Sequence, residues 1–457
     1  MKLPRIMIGA SASGSGKTLV TCGILQAFVN RGLTVASFKC GPDYIDSLFH
    51  SKVIGIKSKN LDTFFSNEDT IKYLFGKTAK EVDLSVMEGV MGYYDGAGGI
   101  STLASSYELA KTTKTPVILV INCKGMSLSI VPLIQGFLLY QKDSNIVGVI
   151  LNQISRSLYM PIKERIENEY RIKVLGYVPF VKELVIESRH LGLVLPEKTK
   201  DFQRKLYELS KIFEETIELD EILKIAENSR EISYSIPDIP KVEGELNIAV
   251  ARDEAFCFYY QDNLELLQEM GANLIEFSPI YDKALPEYTD GLILGGGYPE
   301  LAADKLSANY SMRESIRKAL IDELPCLAEC GGFMYLHQKM EDMSGQNYPM
   351  VGGISGEVYK TNKLKRFGYI TLISNQDQMI AECGECIAAH EFHYFDSNDC
   401  GESFIARKPL RKTQWNCIHG NKNLAAGFPH LYYYSNMRIP FRFLSRCLDR
   451  KKENETK

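Results

Sequence analysis

The sequence predicts two successive α/β domains, the first a doubly wound, mostly parallel sheet that carries a P-loop. Three observations support this. From the start to about residue 230 one phrase recurs: an apolar β-rich run, a polar turn with glycine, then a longer helix-like stretch. The apolar runs are nearly unbroken, which suits parallel strands covered on both faces. At 457 residues the chain has room for two or three domains, each with its own core, and two is the favoured number.

The elements follow in order. Ile6 to Gly9 is the first strand and runs into the glycine-rich SASGSGKT; Lys17 to Asn30 is the helix behind it. Thr34 to Phe38, Leu84 to Met87, Pro116 to Ile121 and Ile146 to Leu151 are further strands, and Ile130 to Gln141 is a crossover helix. The first domain spans 1–235. A linker at 236–245 lies within ISYSIPDIPKVEGE, where two prolines and a glycine separate helix-forming charge from a new apolar run. The second domain spans 246–450. LNIAVARD and GLILGGG repeat the strand-then-turn phrase, and residues 351–405 read as consecutive strands. The polar tail after Arg450 is expected to fray.

Charge and cysteine usage narrow the function. Lys and Arg number 53 against 57 Asp and Glu, so no global field draws the chain to nucleic acid or an anionic membrane. The opening residues fit a buried strand, with neither a signal-peptide pattern nor a membrane span. The 11 cysteines are scattered and several sit in apolar runs, as Cys22 and Cys123 do, which suits a reducing cytoplasm. Cys383 and Cys386 have CxxC spacing, but no second pair or histidine doublet completes a zinc site.

Ser13, Gly14, Ser15, Gly16, Lys17 and Thr18 lie between the first strand and its helix, where backbone N–H groups and the helix N-terminus cradle phosphate oxygens. Lys17 is placed to reach the β- and γ-phosphates of a nucleotide and Thr18 to hold Mg²⁺. The usual first glycine of the motif is Ser11 here. Further segments fall at strand carboxyl ends, where open α/β sheets bind ligands. Lys39 to Asp46 offers Asp43 and Asp46, and Glu88 to Gly96 is a glycine-rich turn bounded by Glu88 and Asp95. Mg²⁺ takes one or two carboxylates with phosphate oxygens and water, so Asp43 and Glu88 join Thr18 as candidate ligands. Asp46 and Asp95 then lie near the transferring phosphate or the acceptor.

In the second half, PCLAECGG runs from an apolar strand into FMYLHQKM, so Cys330 sits on a strand-to-helix turn followed by small residues. That position suits a nucleophile whose thiol pKa a helix N-terminus lowers and whose oxyanion backbone N–H groups bind. Gly296, Gly297 and Gly331 are the candidate oxyanion-hole residues. A base is needed, and the histidines that follow are His337, His390, His393, His419 and His430. His430, in LAAGFPH near the end of the domain, is the choice; His393 in EFHY is almost as well placed.

SASGSGKT, FKCGPDYID, EGVMGYYDG, LILGGGYPE, AECGGFMYL, EFHY and the late histidine together resemble the cobyrinate a,c-diamide synthase family over essentially the whole chain. The resemblance implies an ATP domain similar to dethiobiotin synthetase followed by a class I glutamine amidotransferase domain. It implies that Cys330 attacks the glutamine amide with His430 as base, and that ammonia converts acyl phosphates to the a- and c-amides of cobyrinate in cobalamin biosynthesis. It gives Asp43, Asp46, Glu88 and Asp95 to Mg²⁺, phosphate and acceptor handling, and Asn152 of VILNQ to the nucleotide base. The implied partners are cobyrinate, L-glutamine and ATP, with a homodimer allowed. Two positions depart from related domains: Tyr432 stands where many have a glutamate two residues after the histidine, and Ala328 stands where glycine is common. Hydrogenobyrinate and nickel-sirohydrochlorin are competing acceptors, and an ATP-driven switch protein is the alternative of a different class.

Overall fold

The computed structural model describes residues 1–180 and 196–455. The chain divides into two compact units, Met1–Pro237 and Asp238–Lys457. Among the described residues the first unit is built on a seven-stranded sheet. Its strands are β1 (Arg5–Ala10), β2 (Val35–Cys40), β3 (Lys57–Leu61), β4 (Leu84–Glu88), β5 (Val117–Asn122), β6 (Ile146–Asn152) and β7 (Lys173–Val178), in the order β3-β2-β4-β1-β5-β6-β7. All the pairings are parallel. Every residue of β1 is buried, because helices cover both faces. β3 and β7 were not anticipated and are the two edges of the sheet. The sequence KSKNL of β3 is polar because an edge strand is partly solvated, which removes the apolar signal.

Helix α1 (Lys17–Asn30) packs beneath the sheet against the helix Pro196–Thr216. The contact is close at Gly23, where an added Cβ would stand 2.5 Å from the Phe213 ring. A glycine in mid-helix costs about 1 kcal/mol relative to alanine. Full burial of the Phe213 side chain, worth about 1.5–3 kcal/mol, outweighs it.

The second unit places β8 (Leu246–Ala251), β9 (Ala272–Phe277), β10 (Gly291–Leu294), β11 (Cys326–Glu329) and the strand Leu424–Gly427 in a parallel sheet. His419–Gly420 adds an antiparallel edge. From His337 onward the chain forms two further, largely antiparallel sheets, including the long hairpin Arg366–Ser374 with Cys386–His393, in keeping with the consecutive strands expected there. The expected frayed tail needs correction. Helix Arg438–Glu455 continues through it, held by Ile439, Phe443 and Cys447 at i, i+4, i+8 spacing and by Lys451 Nζ donating to Glu245 O at 2.7 Å.

Candidate active sites

At the phosphate loop, Gly16 precedes α1 with φ 94°, a left-handed conformation, and no side chain among the described residues caps the helix start. The first-turn N–H groups therefore face outward as anion donors. Lys17 Nζ donates to Met91 O at 2.5 Å and Ala12 O at 3.3 Å. Burial, then the nearby Lys39 charge, brings the Lys17 pKa down to about 8. Met91 has φ 48°, unusual for a side chain of its size, so the EGVMG turn is held in a strained conformation beside this lysine. Asn152 reaches across from β6: its Nδ2 donates to Ser15 O at 2.9 Å, and its buried Oδ1 has no hydrogen-bond partner among the described residues.

The carboxylate cluster follows from strand register. Lys39 and Glu88 are direct partners across β2 and β4 at the carboxyl ends of both strands. Lys39 Nζ lies 3.0 Å from Glu88 Oε1 and 2.5 Å from Asp46 Oδ2, and Thr18 Oγ1 donates to Glu88 Oε1 at 2.7 Å. His50 Nε2 is 3.4 Å from Glu88 Oε2, while its Nδ1 meets Ser37 Oγ at 3.0 Å. Burial pushes Glu88 up to about 7 against the pull of Lys39. Burial also opposes the Lys39 charge, but Asp46, Glu88 and Asp43 outweigh it and hold its pKa well above the usual value.

Thr18, Asp46 and Glu88 are thus brought into one cluster with two residues the sequence reading did not assign, Lys39 and His50. Asp43 sits at its margin as the cap of α2 (Tyr44–Phe49), accepting from Ile45 N at 2.8 Å, and burial followed by Asp46 raises it to about 6. Asp95 closes its own turn by accepting from Gly92 N at 2.8 Å. It lies within electrostatic reach of Lys17.

In the second unit β11 ends at Glu329, and Cys330 turns the chain with φ 48° and ψ −101° into the short helix Gly331–Leu336. Cys330 N donates to Gly427 O at 2.8 Å, and Gly332 N to Gly295 O at 2.9 Å. A Cβ on Gly331 would lie 3.1 Å from Gly297 N, and one on Gly296 would lie 2.7 Å from His430 Cε1. Gly296, Gly297, Gly331 and His430 therefore converge at the elbow. Glycine is required where backbones and an imidazole approach this closely.

His430 pairs with His390 across antiparallel strands, the rings stacked 4.9 Å apart at 21°. Its Nδ1 lies 3.5 Å from Glu329 Oε2. Tyr432 is directed elsewhere, its hydroxyl donating to Asp262 Oδ2 at 3.3 Å. His393 is occupied by its own neighbours: Nδ1 meets Phe395 O at 2.6 Å, Nε2 lies 3.4 Å from Glu391 Oε2, and the ring lies flat on Phe428 at 4.0 Å. The expectation of a lowered thiol pKa is not met. Burial, then Glu300 and Glu391, push the Cys330 thiol up, and the single Gly331 N–H opposes them too weakly.

A P-loop α/β unit joined to a second α/β unit with a thiol on a glycine-lined elbow defines an ATP-dependent glutamine amidotransferase ligase. Residues 6–194 match the CobQ/CobB/MinD/ParA nucleotide binding domain, and residues 247–436 match the CobB/CobQ-like glutamine amidotransferase domain. The chain is 41% identical to the cobyrinate a,c-diamide synthase of Caldanaerobacter subterraneus subsp. tengcongensis, covering 96% of this chain and 98% of that one. It is 39% identical to the enzyme of that name from Listeria innocua, over 95% and 97% of the two chains. With the one from Thermoplasma volcanium it shares 38% identity over the full length of both. The chain belongs to the cobyrinate a,c-diamide synthase family. It uses ATP and glutamine to form amides on small-molecule acceptors, which the switch-protein alternative does not accommodate. Among the described residues no helix is long and apolar enough to cross a membrane.

Proposed function

We propose that this chain amidates the a- and c-carboxylates of cobyrinate, with Cys330 and His430 releasing ammonia from glutamine and the P-loop unit activating each carboxylate with ATP. The observation that carries the reading is the convergence of Cys330, His430, Gly296, Gly297 and Gly331 on one elbow. His430 takes the thiol proton as Sγ bonds to the glutamine amide carbon. The N–H groups of the glycine turns then stabilise the oxyanion, and the leaving ammonia carries away the proton. Water hydrolyses the thioester to glutamate.

In the first unit the N–H groups of Ser13 to Gly16 and the ammonium of Lys17 hold the phosphates. The orphaned Oδ1 of Asn152 suits an amino donor on the nucleotide base. The acceptor carboxylate attacks the γ-phosphorus of ATP as the bond to the departing ADP breaks, and ammonia then displaces phosphate from the acyl phosphate and gives up a proton to leave the amide. Asp46 and Asp95 border this reaction, and Lys39 offsets the carboxylate charge gathered there. Mg²⁺ fits the donors present: Thr18 and Glu88 are hard oxygen ligands, and among the described residues the buried Glu88 Oε2 accepts no hydrogen bond, His50 Nε2 lying 3.4 Å away. Asp43 can add only the oxygen not spent on capping α2. When bound, the ion neutralises charge on the phosphates. All 11 cysteines are free thiols, in keeping with a cytoplasmic setting.

Cys330→Ala tests the division of labour. It should abolish amidation driven by glutamine and leave amidation driven by ammonium salts at wild-type rate. Loss of both activities contradicts the reading.

A further inference from the structure

Many class I amidotransferase domains carry a glutamate two residues after the histidine, and here that position is Tyr432, whose hydroxyl donates to Asp262. We propose that Glu329, the residue immediately before the nucleophile, is the positioning carboxylate for His430. The proposal rests on the Cys330–His430 reading above.

Strand register brings the two together. β11 and Leu424–Gly427 pair in parallel with Glu329 opposite Gly427, three residues before His430. Glu329 Oε2 is then 3.5 Å from His430 Nδ1, longer than a formed hydrogen bond, as catalytic contacts often are in substrate-free sites. The Glu329 side chain is 17% exposed and that of His430 is 3% exposed, so water screens the pair little. Two neighbouring carboxylates have other partners. Glu391 receives Trp415 Nε1 at 3.3 Å and lies beside His393, and Asp262 receives Tyr432.

The ring is also fixed in orientation. His390 stacks on its face and Gly296 abuts its Cε1 edge. With Nδ1 facing Glu329 at 3.5 Å, the thiol proton is assigned to Nε2 on the other side of the ring. A carboxylate on Nδ1–H selects that tautomer and stabilises the imidazolium formed as the S–C bond forms, until the proton passes to the leaving ammonia. Other charged groups also face this site, Glu300 and Glu391 from the side of the Cys330 thiol and Lys408 from the side of His390. Burial, then His430 and Lys408, keep His390 neutral. Burial likewise keeps Tyr259 and Tyr433 neutral.

The test uses full-length E329Q, E329D, E329A and H430N, assayed with glutamine across pH and, as a check on folding, with ammonium. E329Q should lower the glutamine-driven kcat by about 10- to 100-fold while moving KM for glutamine less than about threefold. It should also displace the pH–rate profile to lower pH, because a negative charge beside the imidazole has been removed. E329D should recover part of the loss. Wild-type kcat and pH profile in both E329Q and E329A overturn the proposal, as does a loss that appears equally with ammonium or leaves the profile in place. If H430N retains glutamine-driven activity, the Cys330–His430 reading itself fails; loss in H430N with none in E329Q defeats only the role of Glu329.

Discussion

Gly16 shows how tightly the phosphate loop is specified. Its φ of 94° strains any side chain, and a Cβ would stand 2.2 Å from Asn152 Nδ2, the amide that braces Ser15 O. Gly16→Ala should therefore weaken ATP binding by at least about tenfold, a loss of about 1.4 kcal/mol, while glutamine hydrolysis in the other unit persists. Titration calorimetry with ATP checks this, and unchanged affinity contradicts it. The residues a reader of the sequence can single out are those in short contiguous motifs, such as Lys17, Thr18 and Cys330. Lys39, His50 and Glu329 escape because their meaning lies in register: Lys39 is notable only once it is known to sit opposite Glu88. The departure at Tyr432 was visible in the sequence, but its compensation is visible only in three dimensions.

Among the elements, the antiparallel pair that carries His390 opposite His430 links stability to pH. Burial, then His430 and Lys408, hold His390 well below the ordinary histidine value of about 6.5. The unfolded chain thus gains a proton as pH falls through about 6.5 while the folded chain does not. Stability is present above that pH and is lost below it. His390→Phe keeps an aromatic ring in the stack and removes the titration, so Tm should fall less steeply between about pH 7 and pH 5 than in wild type. Parallel slopes for the two proteins would show that His390 does not titrate on unfolding in this range. The interior strands were readable because burial on both faces forces an unbroken apolar run, as in β1. β3 was not, since KSKNL is placed by pairing with β2 and carries no periodic signal of its own.

For the whole molecule, two units with separate cores each hold one half of a coupled reaction. The coupling is chemical. A carboxylate resists amines until its oxygen becomes a leaving group, and ammonia is scarce until an amide is hydrolysed, so neither centre suffices alone. The fold class was legible because both halves repeat the strand, turn and helix phrase and the motifs lie at strand ends. The acceptor was not, because recognition of a large ring is spread over residues that form no contiguous motif. The most direct measurement is therefore the mass of cobyrinate after incubation with the protein, ATP, Mg²⁺ and glutamine, beside hydrogenobyrinate, nickel-sirohydrochlorin and a sample without glutamine. The account predicts conversion of two carboxyl groups to amides on cobyrinate, dependent on glutamine. ATP hydrolysis with no amide formed on cobyrinate would contradict it.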